Sequence, residues 1–226
     1  MWAHDDSSAE KWDGSLPWEQ RLGCYELQER LAVGGMAEVF LARDTTSGKQ
    51  VVVKRALPGV LQDPMLQRMF ADEARIAGLM VHSNVAKVIA NCAGEGYYVM
   101  EFLHGVDVLG VLEYESSCGR AVPLAHALKI AVVAAEALRA AHESVAPDGQ
   151  PLQVVHRDIS PSNVHVGLDG RVCILDFGVA RAELLGRVGT ALGLIKGKLS
   201  YMAPEQLRGR ADHRSDVFSL GVVLYE

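Results

Sequence analysis

Three oxygen-bearing side chains, Asp158, Asn163 and Asp176, stand in short runs whose order is His156-Arg157-Asp158, Asn163, Asp176-Phe177-Gly178 and then Ala203-Pro204-Glu205. Seven fixed identities at fixed offsets in the first three runs would arise by chance with odds on the order of one in ten million in a chain of near-average composition. Carboxylate and amide oxygens are the ligands a hard cation such as Mg2+ prefers, and an aspartate beside them can take a proton from a hydroxyl. Upstream, Lys54 closes the stretch QVVVK, and Glu73 falls inside the apolar stripe Leu66, Met69, Phe70, Ile76, Ala77 and Met80. A carboxylate on a buried stripe demands a cation. Lys54 is its natural partner, and a charge pair of this kind marks a functional site more often than a structural one.

These residues need elements to hold them. From Tyr25 to Lys54 the text is strand-like, LQERLAV, VFLAR and QVVVK with a turn at TTSGK, and it predicts a β-meander. Asp63-Pro64 offers an N-cap and an N1 proline for the helix that carries Glu73. Two more strands, VAKVIAN and GYYVMEF, precede a helical stretch at LGVLEY and a long Ala-rich helix from about Leu124 to His142. A hairpin is expected around Leu168-Asp169-Gly170, between NVHV and VCIL. The final segment, Asp216 to Glu226, reads as a helix start with apolar Val217, Phe218, Leu220, Val222, Val223 and Leu224. The chain shows no internal repeat.

The 226 residues, 49 % of them apolar, are enough for one large domain or two small lobes. A net charge of −6 leaves no basic stripe for nucleic acid. Cys24, Cys92, Cys118 and Cys173 are widely spaced without a C-x-x-C pair, which reads as reduced thiols in a cytoplasmic protein, with a membrane anchor beyond residue 226 of a longer chain as the alternative. No apolar run reaches membrane-spanning length, and the N-terminus carries Asp5, Asp6 and Glu10 where a secretory signal would be basic. Residues 1–22 read as an acidic, mobile leader with Trp2, Trp12 and Trp18.

The four runs together form the H-R-D-x-x-x-x-N, D-F-G and A-P-E set, and on them the chain resembles the bacterial eukaryotic-type serine/threonine protein kinases. The resemblance implies an α+β, two-lobed fold, with a β-rich N-lobe carrying one main helix at 23–102 and a mainly helical C-lobe at 103–226. It also implies ATP as the phosphoryl donor, Mg2+ or alternatively Mn2+ as the metal, and a protein substrate with a Ser or Thr acceptor. By residue, it implies that Lys54 contacts the α- and β-phosphates and Glu73 holds it. Asp158 orients or accepts the proton of the substrate hydroxyl, and Asn163 and Asp176 ligate the metal. His156 and Phe177 pack in an internal spine. The base would lie between Val39 and Val52 above and the C-lobe floor at His165 below, bonded to the backbone of Glu101 and Leu103. Met100 takes the gatekeeper position, and Asp107 that of a carboxylate for the ribose. Arg157 would receive a phosphorylated activation-segment residue, for which Thr190 is the candidate, and a homodimer would suit such autophosphorylation.

The chain departs from the family pattern in two places. The phosphate-covering loop G-x-G-x-x-G-x-V becomes Ala32-Val33-Gly34-Gly35-Met36-Ala37-Glu38-Val39. If the backbone there needs φ > 0, alanine strains the loop, and weaker ATP affinity is expected. The usual catalytic-loop lysine is Ser160, and the usual activation-segment threonine is Lys198. The hydroxyl and the ammonium look exchanged, so either Lys198 supplies the missing charge beside Ser160 or it faces solvent or an acidic substrate.

The family domain normally continues through further helices, so the chain reads as truncated at its C-terminus. Glu205 is then expected to lack its usual arginine, and the apolar face from Val217 to Leu224 to lack cover. The main alternative to an active kinase is a catalytically weak, nucleotide-binding pseudokinase-like scaffold, favoured by Ala32, Ala37 and Ser160. A metabolite or antibiotic phosphotransferase shares parts of the fold but fits the Tyr201-to-Glu205 stretch less well.

Overall fold

The alternating Val, Leu and aromatic residues of the first hundred positions form a six-stranded antiparallel sheet. Its strands are β1 (Arg21–Leu22), β2 (Tyr25–Val33), β3 (Ala37–Asp44), β4 (Gln50–Ala56), β5 (Val88–Cys92) and β6 (Tyr97–Glu101), in the spatial order β1-β2-β3-β4-β6-β5. The computed structural model describes residues 21–146, 148–177 and 198–226. The expected leader therefore lies outside the described residues, apart from Arg21 and Leu22, which extend the sheet instead.

Strand alternation gives this sheet two packed faces. On one, Tyr25, Leu27, Phe40, Ala42, Val51, Val53, Tyr97 and Val99 form a buried cluster. On the other, Ala37, Ala56 and Tyr98 pack with Val60, Phe70 and Ala74, which come from α1 (Pro58–Gln62) and α2 (Pro64–Leu79). The expected start of α2 is borne out. Asp63 accepts from the amides of Met65 and Leu66, with Pro64 at N1, a cap that contributes about 1 kcal/mol. The register pairs Lys54 with Tyr98 and Val52 with Met100 across β4 and β6. Directly opposed residues share a face, so Lys54 and Tyr98 both point at α2.

The second half is built on helices: α3 (Val108–Ser117), α4 (Leu124–His142) and α5 (His213–Tyr225). Ala134, Ala137, Leu138 and Ala141 recur at helical spacing along α4 and pack with Ile159, Val164, Ile174, Leu220 and Val223. A small sheet, β7 (Gly105–Asp107), β8 (Val164–Gly167) and β9 (Val172–Ile174), contributes to the same core, its hairpin turning at Leu168 to Gly170 as expected. This is the α+β, two-lobed arrangement implied by the resemblance.

Helix α5 begins three residues before the expected Asp216. Asp212 accepts from Arg214, and the Ser215 hydroxyl accepts from the Asp212 amide, a capping box that sets the start at His213. The apolar face of this helix divides: Leu220 and Val223 are buried, while Val217, Phe218 and Leu224 are exposed. Among the described residues, no helix is long and apolar enough to cross a membrane.

Candidate active site

Sheet register and the capped helix α2 bring Lys54 and Glu73 together. Lys54 Nζ donates to Glu73 Oε1 at 2.6 Å and to Asp176 Oδ1 at 3.0 Å, with the lysine side chain only 13 % exposed. Burial opposes the charge, yet Asp176 and Glu73 together hold the ammonium well above the ordinary lysine range. It is therefore a fixed positive charge at neutral pH. The expected partnership of Lys54 with Glu73 is the geometry found. Asp176, 122 residues away in sequence, is a second partner that local patterning did not reveal.

Below, Asn163 Nδ2 donates to the Asp158 carbonyl at 2.7 Å and to Asp158 Oδ2 at 2.9 Å. The donor end of the amide is thus turned to Asp158, and Oδ1 is the end a cation would meet. Arg157 (φ 65) and Asp176 (φ 48) both adopt left-handed backbone conformations, unfavourable for residues with a Cβ and retained only where the surroundings impose them. At Arg157 the imposing group is Asp216. This carboxylate, 1 % exposed, accepts from the amides of His156 and Arg157, each at 2.8 Å, and meets His142 Nε2 at 2.8 Å. Gln206 braces the same loop, donating to the Arg157 carbonyl while accepting from the Ala203 amide. Sequence reasoning missed both residues.

His156 packs rather than reacts. Its ring centroid lies 4.8 Å from that of Phe177, Nε2 donates to the Leu175 carbonyl at 2.8 Å, and Nδ1 accepts from the Asp158 amide. Burial holds this imidazole below its ordinary range, against the pull of Asp216, so the neutral form is the one that fits. Arg157 Nε is buried with no partner among the described residues, and Thr190, its expected phosphorylated partner, lies outside them.

The remaining expected residues are placed as follows. Gly34 and Gly35 sit at the turn between β2 and β3, closed by the Gly34 amide on the Ala37 carbonyl at 2.7 Å. Ala32 and Ala37 are strand residues whose φ is not positive. The expected strain at these two alanines does not arise. Val39 is paired with Lys54, and Val52 with Met100. Asp107 caps α3, its Oδ1 accepting from Gly110 at 2.8 Å, so a ribose contact would fall to Oδ2. His165 is buried beside Leu103 and Asp107, and burial holds its imidazole below the ordinary range. Ser160 is buried with its hydroxyl 3.1 Å from that of Ser162. Lys198 opens a 3-10 turn over Lys198–Tyr201, and its side chain, with the expected approach to Ser160, lies outside the described residues. At Glu205, expected to lack its usual arginine, the Ser215 hydroxyl donates at 2.7 Å.

The Glu101 side chain turns to a bidentate contact with Arg171, at 3.0 and 2.9 Å, and accepts from the Lys87 amide. Arg171 also reaches the Ser83 carbonyl at 2.6 Å. This brace ties the segment joining the lobes to the β8–β9 turn. Beside it lies a cavity of about 280 Å³, lined by Glu101, Leu103, His165, Arg171 and Cys173 and not by Val39, Val52 or Lys54.

The donor set suits a shared rather than a caged metal. Among the described residues no three His, Cys, Asp or Glu side chains gather to hold an ion. Two oxygens, from Asn163 and Asp176, match Mg2+, which takes one or two protein carboxylates and completes its shell with phosphate and water. A fixed ammonium, an oxygen pair and a nearby aspartate are the parts that phosphoryl transfer to a hydroxyl requires.

Comparison with known proteins agrees with this geometry. The family described as "Protein kinase domain" matches residues 25–226. The chain is 45 % identical over 219 residues to a protein of Myxococcus xanthus named tyrosine-protein kinase MasK, covering 94 % of this chain and 34 % of that protein. It is 37 % identical over 212 residues to serine/threonine-protein kinase PknA of Mycobacterium tuberculosis, covering 90 % and 46 %. It is 33 % identical over 209 residues to serine/threonine-protein kinase PknB of Mycobacterium leprae, covering 89 % and 32 %. The chain thus spans from about a third to just under a half of the length of these relatives. The crystal structure of the Mycobacterium tuberculosis PknI kinase domain superposes with a TM-score of 0.64 at 23 % identity, covering 90 % of this chain and 73 % of that one, a likeness of fold.

Proposed function

The chain belongs to the protein kinase family, and on that premise we propose that it is an ATP- and Mg2+-dependent serine/threonine kinase acting on proteins. The observation that carries this reading is the buried Lys54 ammonium held at 2.6 Å from Glu73 and 3.0 Å from Asp176. A chain that had abandoned transfer would have no use for that desolvated triad, which is costly to assemble. Its division into an N-lobe at 23–102 and a C-lobe at 103–226 follows the same reading.

In this mechanism Lys54 neutralises charge on the α- and β-phosphates, while Glu73 keeps the lysine in place. Asn163 and Asp176 would hold Mg2+, which would supply further neutralisation of phosphate charge. Asp158 accepts the proton of the acceptor hydroxyl as its oxygen bonds to the γ-phosphorus and the bond to the departing ADP oxygen breaks. Val39, Val52, Met100 and His165 enclose the base, the backbones of Glu101 and Leu103 bond to it, and Asp107 reaches the ribose. Gly34 and Gly35 allow backbone amides to approach the phosphates. Ser160 and Lys198 share the part usually taken by the catalytic-loop lysine. Autophosphorylation of Thr190, in a homodimer, places a phosphate toward Arg157, whose buried Nε supports that reading. The protein would then signal from the cytoplasm.

Two further readings have specific support. The 45 % identity to a protein named as a tyrosine kinase favours a tyrosine acceptor, and Ser160 in place of the usual catalytic-loop lysine favours a weakly active scaffold. One assay separates all three: labelled ATP and Mg2+ with a generic protein acceptor, the Lys54→Met variant as control, and phosphoamino acid analysis of the product. Serine and threonine label that vanishes in the control supports the proposal. Tyrosine label alone, or nucleotide binding without transfer, replaces it with the second or third reading.

A further inference from the structure

Tyr98 has no part in the mechanism above, yet it is 1 % exposed and touches several of its components. The register of β4 against β6 sets it opposite Lys54, on the face turned to α2. Its hydroxyl donates to Glu73 Oε1 at 2.7 Å, the same oxygen that Lys54 Nζ meets at 2.6 Å. Its ring centroid lies 5.5 Å from that of Phe70, which sits three residues before Glu73 on the same helix face, and the Lys54 ammonium stands 5.8 Å from the Tyr98 centroid. One side chain therefore grips α2 by an apolar contact and by its carboxylate.

The arrangement has an electrostatic consequence. Lys54 is shared between Glu73 and Asp176, so its single charge serves two carboxylates even before phosphate competes for it. Glu73 is buried, and a buried carboxylate that loses its partner is driven toward water. The helix would swing outward with it. A second donor that is neutral and fixed in the sheet keeps Glu73 satisfied whichever way Lys54 turns. A leucine or phenylalanine at this place would pack against Phe70 but could not do this.

We propose that the Tyr98 hydroxyl is a positioning group, which clamps Glu73 and thereby holds α2 in the docked arrangement while Lys54 engages phosphate. The proposal rests on the kinase reading for its catalytic consequence but not for the clamp itself. The test is Tyr98→Phe, which keeps the ring and removes the hydroxyl, made in the wild-type and in the Glu73→Leu backgrounds. The readouts are kcat, KM for ATP, and amide hydrogen exchange across Pro64–Leu79.

With Glu73 present, kcat is expected to fall about tenfold with KM little changed, the factor carried by one hydrogen bond to a charged group, and exchange in α2 should quicken. With Glu73→Leu, Tyr98→Phe should add almost nothing to either readout, because the hydroxyl then has nothing to hold. Equal effects in both backgrounds would reduce Tyr98 to a packing residue and overturn the proposal, as would unchanged turnover and exchange with Glu73 present. A wild-type chain that transfers no phosphate, while exchange in α2 still responds to Tyr98→Phe only when Glu73 is present, would remove the kinase reading and keep the clamp.

Discussion

Replacing Asp216 should damage this protein more than replacing any exposed carboxylate, and the structure sets the scale. Its Oδ1 accepts from the Arg157 amide, and its Oδ2 accepts from the His156 amide and meets His142 Nε2, all at 2.8 Å. Asp216→Asn can keep its oxygen in the Oδ2 position, retaining His156 and His142 and setting an NH2 against the Arg157 amide. One buried N–H then goes unpaired, a loss of about 1–3 kcal/mol. Asp216→Ala strands both backbone amides and releases the His142 ring, a loss of about 2–6 kcal/mol against a total stability of about 5–15 kcal/mol. For a chain of this size each kcal/mol moves Tm by about 2–4 °C. Thermal unfolding followed by circular dichroism should therefore show a clear drop for Asp216→Asn and at least twice that drop for Asp216→Ala. Activity should fall in the same order, since the left-handed Arg157 backbone that precedes Asp158 loses its anchor. An alanine variant melting within about 2 °C of wild type would refute the claim that this carboxylate holds the catalytic loop.

Two other outcomes are expected. His156 is buried with its imidazole pushed below the ordinary range by burial, so the folded state disfavours its proton. The stability it contributes is complete above the unfolded value of about 6.5 and is lost as pH falls below it toward the folded value. The urea midpoint should accordingly decline between about pH 7.5 and pH 5.5, and a flat profile would contradict the assignment. At Gly105, an added Cβ would stand 2.1 Å from the Val166 carbonyl oxygen and 2.7 Å from Gly167 Cα. Gly105→Ala should thus lose about 1–3 kcal/mol of stability, measured as a lower denaturation midpoint, whereas an unchanged midpoint would show that β7 can move away from β8.

Much of the site is legible in the sequence. The buried stripe around Glu73, the valine-rich strand ending at Lys54 and the Asp63-Pro64 start of α2 are local patterns, governed by side-chain period and capping within a few residues. The runs at Asp158, Asn163 and Asp176 announced their chemistry by residue type and spacing alone, and they carried the family with them. The strain expected at Ala32 and Ala37 was not legible. Alanine in place of glycine is a statement about residue type, while strain depends on φ, and both residues lie in ordinary strand conformation. Nor was the hydroxyl that meets Glu205 legible, because Ser215 belongs to a capping box whose position only the fold reveals.

Periodicity and capping by themselves determined the principal helices and strands, and motif spacing the oxygens and ammonium available for phosphoryl chemistry, while the two-lobed class followed from the family resemblance those motifs carry. Only the tertiary structure decided what holds those groups in place. Asp216 in sequence is one acid in the first turn of a helix, a position favoured by the helix dipole anyway. In space it anchors backbone amides 59 and 60 residues away. Tyr98 reads as one more strand aromatic until the register of β6 against β4 sets its hydroxyl beside Glu73, and Arg171 as a surface cation until it closes on Glu101. The physical reason is common to all three. Short-range patterns report the conformation of a segment, whereas the partner of a buried polar group is chosen by which distant segment the packed core brings within hydrogen-bond reach.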